Sequence, residues 1–253
     1  DYLNIGATNA ANLDARGLEL LNDVIGDLPF YAVDSVSEIE ALANTVGKIM
    51  ALANDQTPTS DLTIQDMQAL GITGVTSSQL PFFTALLQSA GITATQADSL
   101  AELRTLLQSA AEQNALSVIT QYAQNNTGTL PTSADFSFAG ITGVTSQNLA
   151  AVQSALASTS LGGAQADTRA EVQAIVNAYN LILAEANGAL ADLTPGQDPT
   201  AATFSAIGAT AAASLSIEGL QLLNSSIGNL STDKVDTVAK IEALAAAAER
   251  VMA

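Results

Sequence analysis

Apolar residues recur along this chain at helical spacing. Val172, Ile175, Val176, Tyr179, Ile182, Leu183 and Ala186 fall at i, i+3, i+4, i+7, i+10, i+11 and i+14, one stripe of a long amphipathic helix. Ahead of it stands Thr168-Arg-Ala-Glu171, a capping-box start in which the threonine hydroxyl accepts from the amide three residues on and the glutamate reaches back. The signal recurs at Ser35-Val-Ser-Glu38 and Ser99-Leu-Ala-Glu102, and with lysine in the acid's place at Thr237-Val-Ala-Lys240. Asp34, Asp98, Asp167 and Asp236 precede the four starts. The favourable interaction of a carboxylate with the helix dipole accounts for them without a catalytic role.

A shorter helix is predicted upstream of each long one. It carries Leu13 and Leu20; Leu80, Phe83 and Leu87; Leu149, Val152 and Leu156; and Leu215 and Leu222, with Pro81 tolerable in a first turn. Gly26, Gly91, Gly162 and Gly228 follow, where a left-handed turn is expected to end the helix and fold the pair into an antiparallel hairpin. A further helix, the first of three, is predicted over 62–70 and around 136–139. Each ends near a Gly-Ile-Thr-Gly-Val-Thr string, at Gly71 and at Gly140. Proline-bearing stretches around Pro58, Pro131 and Pro195–Pro199 read as linkers, since proline stops helices and extends the residue before it.

The chain repeats itself. Shifted by 202 positions, residues 1–51 align without a gap on 203–253, with 25 identities. Asp34, Asp98, Asp167 and Asp236 stand 64, 69 and 69 residues apart, so two more divergent copies lie between. The expected fold class is therefore all-α: a tandem array of small three-helix bundles joined by short Pro/Gly/Thr linkers. The expected modules are 1–56 (lacking part of its N-terminal helix), 57–130, 131–197 and 198–253.

Composition narrows the chemistry. Of 253 residues 48 are alanine, tryptophan is absent and aromatics are 4%, which suits thin Ala/Leu/Ile/Val layers. With no His and no Cys, Ser-His-Asp and Cys-His catalysis, imidazole or thiolate metal sites and disulfides are excluded. Twenty-five acids against seven bases give −18, which repels nucleic-acid phosphate and anionic lipid. No apolar run approaches the roughly 20 residues that cross a bilayer. The chain opens at Asp1 with no leader pattern and reads as a mature or excised fragment. The acid pairs Asp192 with Asp198 and Asp61 with Asp66 lack the Asp-x-Asp-x-Asp loop, glycine and bidentate glutamate of a calcium site, and read as solvated linker and cap charges. Asn125-Asn-Thr127, Asn224-Ser-Ser226 and Asn229-Leu-Ser231 match the N-glycosylation pattern, which a chain rich in these residues carries by chance. No catalytic, cofactor-binding or metal-ligating residue is assigned, and the chain is read as not an enzyme.

Leu62-Thr-Ile-Gln-Asp-Met-Gln-Ala-Leu-Gly-Ile-Thr-Gly-Val-Thr76, the helix at Asn148-Leu-Ala-Ala-Val152, and Ala-Asp-Ser/Thr leading into Glu-Leu or Glu-Val together resemble the tandem three-helix, GA-like repeats of giant bacterial surface adhesins. The resemblance covers Pro58 to about Gly188, and the terminal repeats depart from it, with Ile-Gly-Ala-Thr in place of Gly-Ile-Thr-Gly-Val-Thr. It implies an all-α, non-enzymatic, extracellular role at the bacterial cell surface. Albumin binding, known for distantly similar modules, is not carried over, because no binding-motif residues match. Two roles follow: a self-assembling subunit of a filament, sheath or layer, and a passive adhesin stalk. A host- or ligand-binding module is the reading of another class. Equivalent end repeats suit head-to-tail assembly. The scarce aromatics read mostly as core or staple residues. Phe82 and Phe83, helix neighbours pointing about 100° apart, cannot both face one interior, and Phe30-Tyr31 stands in a loop where the last repeat has Thr232-Asp233, so one member of each pair is the candidate for a contact with another module or chain.

Overall fold

A computed structural model of the chain describes residues 2–126, 128–186 and 198–252. Among these residues the secondary structure is entirely helical. In chain order the α-helices are α1 (Thr8–Ala11), α2 (Ala15–Asp27), α3 (Val36–Ala53), α4 (Ile64–Ala69), α5 (Leu80–Leu87), α6 (Leu100–Asn125), α7 (Ser133–Phe138), α8 (Leu149–Leu156), α9 (Arg169–Glu185), α10 (Ala201–Ala206), α11 (Thr210–Ala213), α12 (Ile217–Gly228) and α13 (Val238–Met252). One-turn 3-10 helices lie at Tyr2–Ile5, Phe30–Ala32, Ala94–Gln96, Gly163–Gln165 and Thr232–Lys234. One order recurs four times: a short helix, a glycine turn, a middle helix, a 3-10 turn and a long helix.

The glycine turn has one hydrogen-bond pattern in all four repeats. The amides of Ala7, Ile72, Ile141 and Ala209 donate to the carbonyls of Tyr2, Met67, Phe136 and Phe204 at 2.8–3.0 Å. Those of Gly6, Gly71, Gly140 and Gly208 donate three residues back at 3.0–3.1 Å. This is the Schellman arrangement, with glycine at the left-handed position (φ +71 to +86°) and an apolar pair closing the loop. After it the repeats diverge. Gly74 and Gly143 take a second positive φ and keep the chain out of helix, whereas the end repeats carry Asn-Ala-Ala and Ala-Ala-Ala there and form α1 and α11.

Gly26, Gly91, Gly162 and Gly228 do not take the expected left-handed conformation. Gly26 and Gly228 lie inside α2 and α12, Gly162 is extended (φ −114°), and Gly91 is outside the positive-φ set. The middle helices end instead in right-handed or extended residues such as Ala157 and Leu28, and the 3-10 turn makes the reversal that a left-handed glycine would have made. Leu13 and Leu215 sit just ahead of their middle helices, beside the N-caps Asp14 and Ser216.

The long helices begin as their sequences direct. Ser35 and Thr168 form complete capping boxes with Glu38 and Glu171. Ser99 accepts from the Glu102 amide at 3.4 Å and Thr237 from that of Lys240 at 3.3 Å. The short helices α4, α7 and α10 carry boxes of their own, Thr63 with Asp66, Thr132 with Asp135 and Thr200 with Thr203.

By their contacts the residues fall into two compact units, Asp1–Asn114 and Ala115–Ala253, a division that falls within α6. The first unit's core gathers Leu20, Val24, Val46, Ile49, Met67, Phe83, Leu87 and Leu103. The second's gathers Ala115, Ile119, Phe136, Val152, Val176, Tyr179, Ile182, Phe204, Ile227 and Ile241. Burying each Val, Leu, Ile, Met or Phe side chain among them is worth roughly 1.5–3 kcal/mol, so these layers outweigh the polar contacts below. The predicted α9 stripe lies in this core, with Leu183 partly buried at its margin. The linker at 193–197 lies outside the described residues.

Candidate interaction surfaces

Inside each unit a long helix packs on the first and middle helices of the following repeat: α3 on α4 and α5, α9 on α10 and α12. In the first unit Lys48 anchors this contact, with Nζ 2.9 Å from the Asp66 carboxylate and 3.3 Å from the Asp61 carbonyl. The Thr45 hydroxyl donates to Asp66 at 3.1 Å. Burial alone pushes the Asp66 carboxyl up, but hydrogen bonds from Lys48 and Thr63 outweigh it and hold the group below the usual aspartate range. Inside the last repeat Asn224 donates to the Pro199 carbonyl at 2.8 Å, while the bond across the α9 contact is neutral. The Tyr179 hydroxyl donates to the Val235 carbonyl at 3.1 Å, and burial pushes this phenol well above its ordinary value.

A second contact also recurs. The first amide of α6, Leu100, donates to the Asp23 carboxylate on α2 at 2.7 Å, and the first amide of α13, Val238, donates to the Ser154 hydroxyl on α8 at 3.0 Å. In both units a middle helix thus caps the long helix of the next repeat. Around the first cap Arg16 bridges Glu19 (2.7 Å) and Asp98 (3.0 Å), and Arg104 pairs with Asp27 (2.9 Å). Within repeats the long helix reaches back to a turn amide: Glu40 accepts from Asn9 (3.0 Å), Gln173 from Thr142 (2.9 Å) and Glu242 from Ala211 (2.9 Å). Sequence reasoning missed these acceptors, although Glu40 and Glu242 belong to the matched strings of the 202-residue shift.

The four repeated aspartates serve the helix starts differently. Asp98 accepts from Arg16 and Asp236 from Lys240 (2.5 Å). A hydrogen bond shared with Glu171 pushes the Asp167 carboxyl up, while bonds from Thr168 hold Glu171 down. Asp34 adjoins Glu38, which Ser35 holds below its usual range. Lys48 joins Asp61 and Asp66 through the former's carbonyl and the latter's carboxylate. Asp192 lies outside the described residues, and so does its pairing with Asp198. Among the described residues no three Asp or Glu side chains converge as a metal site would require. Of the glycosylation-pattern asparagines, Asn224 is buried, Asn229 is exposed and donates to the Ser225 carbonyl at 2.7 Å, and Thr127 of the first triplet lies outside the described residues.

The scarce aromatics divide cleanly. Phe83, Phe136 and Phe204 are fully buried, and Tyr2 and Phe82 pack on the margin of the first core. Phe82 thus turns onto its own unit. Phe30 and Tyr31, by contrast, are 81% and 76% exposed together on one 3-10 turn, and Phe138 is also exposed. Leu3, Ile5, Val251 and Met252 add exposed apolar side chains in the first and last repeats. An open groove of about 550 Å³ in the first unit runs along Leu52, Pro58, Leu62, Ile64, Leu80 and Pro81. Among the described residues no helix is long and apolar enough to cross a membrane. Comparison with protein-family models, curated proteins and solved structures finds no match to this chain.

Proposed function

We propose that this chain is a non-enzymatic structural protein of the bacterial cell surface, a self-assembling subunit or repeat segment of an extracellular filament, sheath or layer. In this reading the four sequence repeats are three-helix modules of the GA-like kind they resemble, docked on one another as well as joined by linkers. The observation that carries it is the recurrence of one docking contact, a long helix on the first helices of the next repeat, in a chain whose end repeats match at 25 of 51 positions and expose apolar side chains. Copies of the same chain are the expected partners. At −18 they repel one another, so association draws on apolar surface and is promoted by salt that screens the repulsion.

The test is sedimentation and negative-stain microscopy of the purified chain as concentration and salt rise. Ordered fibres or sheets support the reading. Chains that stay monomeric at high concentration and moderate salt overturn it and favour the passive stalk. Phe30→Ser with Tyr31→Ser, which gives the turn the polar character of Thr232-Asp233 in the last repeat, is expected to weaken assembly while leaving helical content intact.

A further inference from the structure

In the last three repeats the residue ahead of the short helix's N-cap threonine is Leu62, Pro131 or Pro199. In two of them its carbonyl is tied to the middle helix of the same repeat. The Gln153 carboxamide donates to the Pro131 carbonyl at 2.7 Å, and that of Asn224 to the Pro199 carbonyl at 2.8 Å. The second repeat lacks the tie. Thr84 stands 69 residues before Gln153, as Leu62 stands 69 before Pro131, and its short side chain makes no such bond. Among the described residues nothing donates to the Leu62 carbonyl, although Leu62 as a whole is 6% exposed. A carbonyl so placed ordinarily has a partner.

The groove of about 550 Å³ in the first unit opens at this place, with Leu62 and Thr84 both in its lining. Its walls present more apolar surface than the other repeats have at the same positions. Ile64 takes the register of Ser133 and Ala201, and Pro81 that of Ala150 and Glu218. Ile64 is half-buried and Pro81 exposed, so part of this surface stays open to solvent. The charged residue of the lining is Asp61, and Lys48 is engaged by the Asp66 carboxylate and the Asp61 carbonyl. The volume lies in the range of small-molecule sites.

We propose that this groove binds a small primary amide with an apolar body. Its N–H donates to the Leu62 carbonyl, as Gln153 donates to Pro131, and its hydrocarbon lies against Ile64, Leu80 and Pro81. Three features select this class. Two sister repeats meet the equivalent carbonyl with a carboxamide, the walls favour hydrocarbon, and Asp61 in a chain of −18 disfavours a carboxylate. The site is independent of the self-assembly reading.

The probe is hexanamide, titrated into the isotope-labelled full chain and followed by backbone amide chemical shifts. Saturable shifts are expected at Thr57, Ile64, Thr84 and Gln88, and none at Ser133, Gln153 or Ser154 in the third repeat. Hexanoate carries the same body without the donor and should bind at least about tenfold more weakly. Thr84→Gln supplies the tie from within the chain and should weaken hexanamide binding by about tenfold or more, with helical content by circular dichroism unchanged. If that variant misfolds, the comparison of the two probes on the unmodified chain decides alone. The proposal is overturned if hexanamide gives no saturable shifts up to its solubility limit, or if it shifts both units alike. It is equally overturned if hexanoate binds as tightly, or if folded Thr84→Gln binds hexanamide like the unmodified chain.

Discussion

The fourfold Schellman turn allows backbone strain to be separated from packing by one kind of substitution. Alanine at Gly6, Gly140 or Gly208 meets the same left-handed backbone, at φ +86, +71 and +77°, and should cost about 1–2 kcal/mol on that account alone. The surroundings differ. A methyl at Gly6 meets nothing within 4 Å, and one at Gly140 meets the flexible Arg169 guanidinium at 2.7 Å, which can swing away. At Gly208 it falls 2.0 Å from the Ser158 hydroxyl oxygen, 3.0 Å from Ser158 Cβ and 3.2 Å from Leu161 Cγ. The hydroxyl can rotate, but the two carbons are held in the second unit and must shift, adding roughly 1–3 kcal/mol of overpacking. The expected order of destabilisation is Gly6→Ala close to Gly140→Ala, with Gly208→Ala clearly largest. Calorimetry and urea unfolding of the full chain measure it, with the Gly208 variant moving only the transition of the second unit. Equal losses at all three sites would refute the packing argument, and no loss at Gly6 would refute the strain argument.

Other substitutions test the helix starts and the charges. Thr168→Ala should cost about 0.5–2 kcal/mol and Thr168→Gly only a few tenths in urea unfolding, with Ser99→Ala and Ser99→Gly ranked alike. Because the folded Asp66 carboxyl titrates below its unfolded value, its contribution is present above the unfolded pKa of about 4 and is lost as pH falls through the lower folded value. Acid unfolding of Asp66→Asn should therefore show a shallower loss of stability below about pH 4 than the unmodified chain. Chelators should leave the melting temperature unchanged, and a saturable calcium stabilisation that survives high salt would contradict the reading of the acids as cap and linker charges.

Local chemistry was legible in the sequence where one short string fixes one geometry. Ser35-x-x-Glu38 and Thr168-x-x-Glu171 name their own hydrogen bonds, and the stripe from Val172 to Ala186 names its buried face. Thr63-x-x-Asp66 and Thr132-x-x-Asp135 carry the same logic with a shorter acid and open helices of six residues. The left-handed glycines were misplaced because sequence shows a glycine after a helix but not whether the chain already turns there. The 3-10 helices at Phe30–Ala32 and Ala94–Gln96 make that turn, and Gly71 and Gly140 do the left-handed work one helix earlier. The division within α6 was invisible for a different reason. Leu103, Leu106 and Ala110 belong to one core and Ala115, Ile119 and Ala123 to another, so no single stripe runs the helix's length. Contacts such as Asp23 with Leu100, 77 residues apart, leave no local signature at all.

The placement of the seven cations shows which forces hold the repeats together. Arg16, Lys48 and Arg104, every Lys and Arg of the first unit, each pair with an acid of the neighbouring repeat. The second unit forms the corresponding docking with Ser154 and Tyr179, which carry no charge. One geometry therefore survives an exchange of ion pairs for neutral hydrogen bonds. Exposed pairs such as Arg104 with Asp27 contribute at most about 1 kcal/mol, well below the burial of one core leucine, so the apolar layers set the docking and the polar contacts adjust to it. The same ranking would govern contact between chains in the assembly proposed above: seven cations cannot neutralise 25 acids, so copies that associate must overcome net repulsion with apolar area, for which the exposed Phe30-Tyr31 turn is the pair to test.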